Sequence, residues 1–215
     1  MRFIKFFFTI VALCFLQSCS KTSLYQSKHY VFGTIVDISI YGVDEKKAEE
    51  ATQAVVHEFT RLHNSLHAWK QSDLTNLNES IAKSKPYINP SAELIEILKE
   101  AKILEDASNH LFNPAIGELI DYWGFHQDEF NPIHPDKSKI KMLVERKPSL
   151  DQLRISDSSI SSINAHVKID LGGYAKGYAL DQASKILHER HIKNALINIG
   201  GNIIAIGQHG NKPWR

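Results

Sequence analysis

The chain has 215 residues, 43% of them hydrophobic and 23% charged, with 25 Lys+Arg against 24 Asp+Glu and a formal net charge of +1. Such a composition excludes disorder over most of the length and suits one sizeable domain. The charge balance excludes a strongly basic nucleic-acid binder, and eleven Gly with seven Pro exclude a collagen-like or Pro-rich fibre.

Residues 1–18 read as a secretory leader. Arg2 and Lys5 precede an apolar run over 6–15, too short for a bilayer span of about 20 residues. The run is followed by Leu16-Gln17-Ser18-Cys19, which resembles the cleavage box of bacterial lipoproteins. That resemblance implies loss of 1–18, lipidation of Cys19, and anchorage to a bacterial membrane facing the periplasm or the exterior. Residues 19–28 are expected to form a tether and 29–215 the folded domain. Cys14 leaves with the leader, so the mature chain keeps only the lipidated cysteine and has no intrachain disulfide.

The β-branched run 30–41 predicts a strand, interrupted by Gly33 at a bulge or at a close approach of backbone to a ligand. Asp44 is placed to cap a helix reaching about Leu66, with Ala48, Ala51, Val55, Phe59, Leu62 and Leu66 on one stripe. A loop is expected through Asn78. Pro90-Ser91 opens a second helix with Leu94, Ile97, Leu98, Ala101 and Leu104 inward. Asn113-Pro114 suits the cap and first position of a short third helix ending near Trp123-Gly124. A further short helix is expected at 137–146. Strands are expected at 153–156, 159–163 and 166–171, then a helix with Ala175, Ala179, Ala183, Ile186 and Leu187 inward. Strands at 195–199 and 202–206 flank a Gly200-Gly201 hairpin turn, and 212–215 reads as the start of another strand. The sum is a single α+β domain, with helices packed on a mixed or antiparallel sheet.

Chemistry concentrates in three segments. In Asp170-Leu171-Gly172-Gly173-Tyr174-Ala175-Lys176-Gly177 a strand ends on a carboxylate, two glycines turn the chain, and a helix begins with a lysine in its first turn. A helix start presents free amides and the positive dipole end, so it suits phosphate. Asp170 can accept hydrogen bonds from a ligand or help to position a metal. A Gly-Gly turn before a helix is also a common structural device. The spacing is neither the dinucleotide fingerprint nor a Walker loop. Leu111-Phe112-Asn113-Pro114 and the loop from Ser65 to Asn78, with Trp69 as a stacking platform, are the other two. His63 and His67 stand four apart, a metal-ligand spacing, but without His-Glu-x-x-His or a third ligand they read as ordinary helix histidines. No Gly-x-Ser-x-Gly elbow is present.

Taken together and in order, these segments resemble the ApbE-type flavin transferases, or FAD:protein FMN transferases. Phe32-Gly33-Thr34 is similar to that family's Met-Gly-Thr, and Trp69 to Ser72 with Leu77-Asn78 to its aromatic-x-x-Ser…Leu-Asn segment. Leu111 to Pro114 with Trp123-Gly124-Phe125 is similar to its Phe-Asp-Pro…Trp-Gly-Phe. Asp170 to Gly177 resembles its signature, and Asn198 to Asn202 its Gly-Gly-Asn strand pair. Phe32 stands for the usual Met and Asn113 for the usual Asp.

The resemblance implies FAD as substrate, Mg²⁺ as cofactor, transfer of FMN to a threonine hydroxyl of a target flavoprotein, and release of AMP. It implies an FAD site lined by Phe32, Trp69, Leu111, Phe112, Asn113, Asp170 and Lys176, with the Gly173 carbonyl toward Mg²⁺. It also implies that the chain is a member lacking the family's C-terminal third, so that the remaining metal ligands are expected beyond Arg215. No catalytic base is assigned. The competing expectations are a non-catalytic FAD-binding lipoprotein and a Mg²⁺-dependent FAD pyrophosphatase giving FMN and AMP.

Overall fold

A computed structural model describes residues 23–129 and 132–215. The leader, the cleavage box and Cys19 lie outside the described residues. No helix among the described residues is long and apolar enough to cross a membrane.

The main sheet joins four strands in the order β1 (Ser23–Val31), β2 (Thr34–Val43), β6 (Ala195–Ile199) and β7 (Asn202–Ile206), all neighbours antiparallel. The single strand expected at 30–41 is therefore a hairpin, and its two-residue turn is Phe32-Gly33, with φ of 56° and 68°. Two successive positive φ angles make the turn type whose twist suits a hairpin. Glycine takes such an angle freely, whereas phenylalanine is an uncommon occupant. The tether is corrected by the same observation: residues 23–28 are strand, paired with β2 from Ser23↔Val43 to Lys28↔Asp37. They form the sheet's edge, where one side is solvated and polar residues are tolerated.

Asp44 caps α1, Glu45–Ser65, by accepting from the Lys47 amide. The stripe Ala48, Ala51, Val55, Phe59 and Leu62 is buried as the spacing requires. It faces Val36, Ile38, Ile40, Ile197 and Ile199 on the sheet. Full burial of each large aliphatic or aromatic side chain is worth about 1.5–3 kcal/mol. Helix α6, Ala175–Glu189, lies beside α1 on that face and buries Ala179, Leu180, Ala183 and Leu187; Ala175 and Ile186 are only partly buried. Strands β6, Ala195–Ile199, and β7, Asn202–Ile206, pair through the expected Gly200-Gly201 turn.

The second layer holds α2 (Asp73–Ala82), β3 (Tyr87–Ile88), α3 (Ala92–Ala107), α4 (Gly117–Tyr122), α5 (Lys137–Glu145), a 3₁₀ turn (Leu150–Gln152), β4 (Leu153–Ile155) and β5 (Ser159–Ser162). A small antiparallel sheet runs β3-β5-β4. Helix α2 replaces the loop expected through Asn78. Its start is a capping box of Ser72 and Thr75, and it buries Leu74, Leu77, Asn78 and Ile81. Helix α3 is capped by Ser91 as expected, but Leu104 points outward.

Helix α4 starts later than Asn113-Pro114 predicts and has no side-chain cap. Asn113 Oδ1, on the side chain, instead accepts from the Ala115 amide at 2.8 Å, closing a local turn. The run 166–171 joins neither sheet. It lies alongside 114–117, where Asp170 N–H donates to the Pro114 carbonyl (2.8 Å), Lys168 N–H to Ala115 (3.2 Å) and Gly117 N–H to Lys168 (2.7 Å). The strand expected at 212–215 is corrected too: a single bridge joins His209 and Lys212, and Pro213, Trp214 and Arg215 pair with no strand. Proline at 213 has no N–H to give a ladder, and the Trp214 indole N–H donates instead to the Ile206 carbonyl at 3.0 Å.

Candidate active-site cleft

Asp170 sits where the run 166–171 meets the start of α6. It is 8% exposed. One carboxylate oxygen, Oδ1, accepts from the Gly172 amide at 2.7 Å, and Oδ2 accepts from His126 Nε2 at 2.6 Å. Burial pushes the carboxyl pKa up, but the His126 bond and the Gly172 amide outweigh it and hold Asp170 below the usual carboxylate range. The group is therefore an anion at neutral pH. Glycine at 172 is a steric requirement, because a Cβ there would stand 2.9 Å from Asp170 Oδ1.

The strand end is fixed from behind by Asn78 on α2. The Asn78 side chain accepts from Ile169 N–H at 2.7 Å and donates to the Ile169 carbonyl at 2.9 Å, as a neighbouring strand would. Just beyond, Tyr174 and Ala175 amides both donate to the Leu171 carbonyl, and no side chain caps α6. The positive end of a fifteen-residue helix thus opens on the cleft with Lys176 in its first turn.

The opposite wall comes from the C-terminal end of α1 and the segment after it. His67 Nδ1 accepts from the Lys70 amide (3.1 Å) and the Trp69 amide (3.4 Å), so the segment folds around one imidazole. Ser72 Oγ donates to the His67 carbonyl at 2.7 Å and closes it. Trp69 lies edge to His67, with centroids 4.3 Å apart, and stacks on His126 at 5.2 Å and 18°. His67 meets His63 at 5.0 Å, and His63 meets Phe32 at 5.8 Å. A continuous row of rings results. Burial first, then the neighbouring His63 for His67, and Lys70 for both, push His63 and His67 below the ordinary histidine value, so these two imidazoles are uncharged at neutral pH.

The cleft between the walls has a volume of about 290 Å³, lined among others by Phe32, His63, Trp69, Asp128, Asp170 and Lys176. Lys70 and Asp128 pair at its mouth, 2.9 Å apart. Four of the expected flavin-site residues therefore meet here: Phe32, Trp69, Asp170 and Lys176. Phe112 stands one step away, against Gly173. Leu111 is 91% exposed, outside the cleft lining. Asn113 donates to the Pro148 carbonyl at 2.8 Å and belongs to the framework behind. His126 and Asp128 were not legible as site residues. They follow Trp-Gly-Phe after a turn at Gly124 (φ 80°), and nothing in the spacing to Asp170 announces the contact.

The residues of the cleft do not by themselves make a magnesium site. That ion asks for near-octahedral oxygen ligation. Both Asp170 oxygens already accept hydrogen bonds, and Asp128 is paired with Lys70. Gly173 is exposed in the turn that leads into α6. Among the described residues, three potential metal-binding groups converge only at Asp106, His110 and Asp151, all exposed and not among the cleft residues.

An aromatic-walled cleft beside an uncapped helix start suits an anion next to a flat ring. A model of the ApbE family matches residues 32–215, and the chain belongs to that family. It is 34% identical over 187 residues to a Rhodobacter capsulatus protein named FAD:protein FMN transferase, covering 86% of this chain and 35% of the relative. A Haemophilus influenzae protein of the same name is 27% identical, with 83% and 52% covered. The chain thus spans about a third to a half of these relatives' length. Among solved structures, the ApbE protein of Thermotoga maritima superposes with a TM-score of 0.79 at 25% identity, covering 89% of this chain and 62% of that one. The Vibrio cholerae flavin transferase ApbE gives 0.77 at 22% identity, covering 90% and 63%, a likeness of fold.

Proposed function

We propose that this chain carries the flavin-nucleotide site of an FAD:protein FMN transferase. The observation that carries the reading is the convergence of Trp69, Phe32, Asp170 and Lys176 on one cleft at the open start of α6. Family membership and the names of the relatives support it. In this reading the aromatic wall takes a flat ring, and the helix start with Lys176 takes the diphosphate. Asp170, held as an anion, accepts hydrogen bonds from hydroxyl or amine groups of the nucleotide.

The reaction joins an acceptor hydroxyl oxygen, that of a threonine in a target flavoprotein, to the phosphorus on the FMN side. The bond from that phosphorus to the AMP oxygen breaks, AMP leaves, and the hydroxyl proton is released. Positioning and electrostatics do most of such work in phosphoryl transfer. Magnesium belongs to the proposed whole reaction, with the Gly173 backbone carbonyl as the one ligand the family resemblance implies within this chain. Lipidation at Cys19 would anchor the domain to a bacterial membrane, facing the periplasm or exterior, where the acceptor would be met.

The test is to incubate the full chain with FAD and a threonine-bearing acceptor, with and without Mg²⁺, following AMP and covalent flavin on the acceptor. AMP release matched by covalent flavin is the expected result. AMP with free FMN and no acceptor needed would make it a pyrophosphatase, and binding without AMP a flavin-binding protein.

A further inference from the structure

His126 is a deeply placed titratable group beside the cleft: its side chain is 2% exposed. Its ring is stacked on Trp69, its Nε2 is 2.6 Å from Asp170 Oδ2, and its Nδ1 is buried without a hydrogen-bond partner. Asp121 Oδ1 is 3.8 Å from that nitrogen, and Lys168 Nζ holds the other Asp121 oxygen at 2.7 Å. An apolar ring at 126 would fill the same space behind Trp69 and would remove the partnerless Nδ1, whose burial costs about 1–3 kcal/mol, but it would take from Asp170 Oδ2 its donor. What the imidazole alone supplies is an Nε2–H aimed at Asp170. Trp69 also lines a second cavity of about 460 Å³, together with His126, Asp121, Asn78 and Lys168.

We propose that His126 is a positioning residue of the nucleotide site: its Nε2–H orients the Asp170 carboxylate toward the cleft while its ring backs Trp69, so that one side chain sets both the hydrogen-bond acceptor and the stacking surface that a flavin nucleotide meets. The inference rests on the flavin reading of the cleft. It concerns a residue that touches Asp170 and Trp69 but is not among those lining the cleft.

The test measures FAD affinity of the full chain by flavin fluorescence, with melting temperature as the check on folding. His126→Phe keeps a ring against Trp69 and removes the donor; it should weaken FAD binding at least about tenfold, the equivalent of about 1.4 kcal/mol, in a chain that still melts cooperatively, at a temperature lowered because Asp170 Oδ2 has lost its partner. His126→Gln restores an N–H near the Nε2 position and should recover affinity to within about threefold, since a bond to a charged acceptor is worth more than a neutral one. On an Asp170→Asn background, His126→Phe should change affinity less than about twofold, because the partner it acts through is gone. Independently of any ligand, the ¹⁵N-histidine NMR spectrum should show the Nε2-protonated form of His126 with a downfield proton that Asp170→Asn abolishes. Wild-type affinity in His126→Phe, an undiminished loss on the Asp170→Asn background, or absence of the NMR signature overturns the proposal alone. Failure of the wild-type chain to bind FAD overturns the flavin reading, and the proposal with it.

Discussion

At the scale of single residues, the site depends on where one carboxylate points. Gly172→Ala places a methyl 2.9 Å from Asp170 Oδ1, closer than carbon and oxygen tolerate, so the carboxylate must swing while the backbone keeps its course. The expected outcome is FAD affinity lowered by about tenfold together with a stability loss of about 1–3 kcal/mol as the carboxylate gives up its Gly172 and His126 partners, read by fluorescence titration beside urea denaturation. Asp170 also gives a pH dependence of known sign. Its pKa in the fold lies below that of the unfolded chain, ordinarily about 3.9. The stability it contributes is present above that unfolded value and disappears as pH falls through the folded one. Urea denaturation of wild type and Asp170→Asn should therefore show a gap that is full at about pH 6 to 7 and narrows below about pH 4. A gap that widens in acid would contradict the assignment of Asp170 as a hydrogen-bonded anion.

At the scale of elements, much was legible and the omissions have physical causes. The stripe of α1 and the caps Asp44 and Ser91 are local signals, and the structure follows them. Strand β1 escaped because Gln26, Ser27, Lys28 and His29 give no alternation, and an edge strand needs little, since only part of its surface meets the core. Helix α2 escaped because its capping box uses Thr75 where Glu or Gln is the usual sign, and one of its buried positions is Asn78. That asparagine carries the next prediction. Asn78→Ala strips partners from both the N–H and the carbonyl of Ile169, a residue with no exposure. The cost should be about 2–4 kcal/mol, two unsatisfied buried groups at about 1–3 each with partial relaxation. Calorimetry or urea denaturation measures it. The variant should also lose FAD affinity, because Ile169 is the residue before Asp170.

At the scale of the molecule, the α+β layering was legible from element order, and so was the convergence of Phe32, Trp69, Asp170 and Lys176, through the resemblance of motifs spread along the chain. The positions of Leu111 and Asn113 relative to the cleft, and the arrival of His126 at Asp170, were not, because they depend on how layers close on one another rather than on local pattern. The closure itself can be tested at Arg61. From α1 this guanidinium donates to Glu58 on its own helix (2.7 and 2.8 Å) and to both oxygens of Glu93 on α3 (2.6 and 2.7 Å), and Tyr178 of α6 donates to the same Glu93 (3.3 Å). The Arg61 bonds hold Glu93 below the usual carboxylate range against the effect of burial. Three helices are thus joined at one carboxylate, next to the first turn of the helix that opens the cleft. Both partners are partly solvated, so the pair is screened and worth less than a fully buried one. Arg61→Ala should cost about 1–2 kcal/mol, more than an isolated surface pair because a bidentate network is lost. Arg61→Lys should recover only part of that, since an ammonium cannot match two oxygens in a planar fork. Urea denaturation at low and high salt reads both effects. Wild-type stability of Arg61→Ala at low salt would mean that the helices are held by their apolar faces alone.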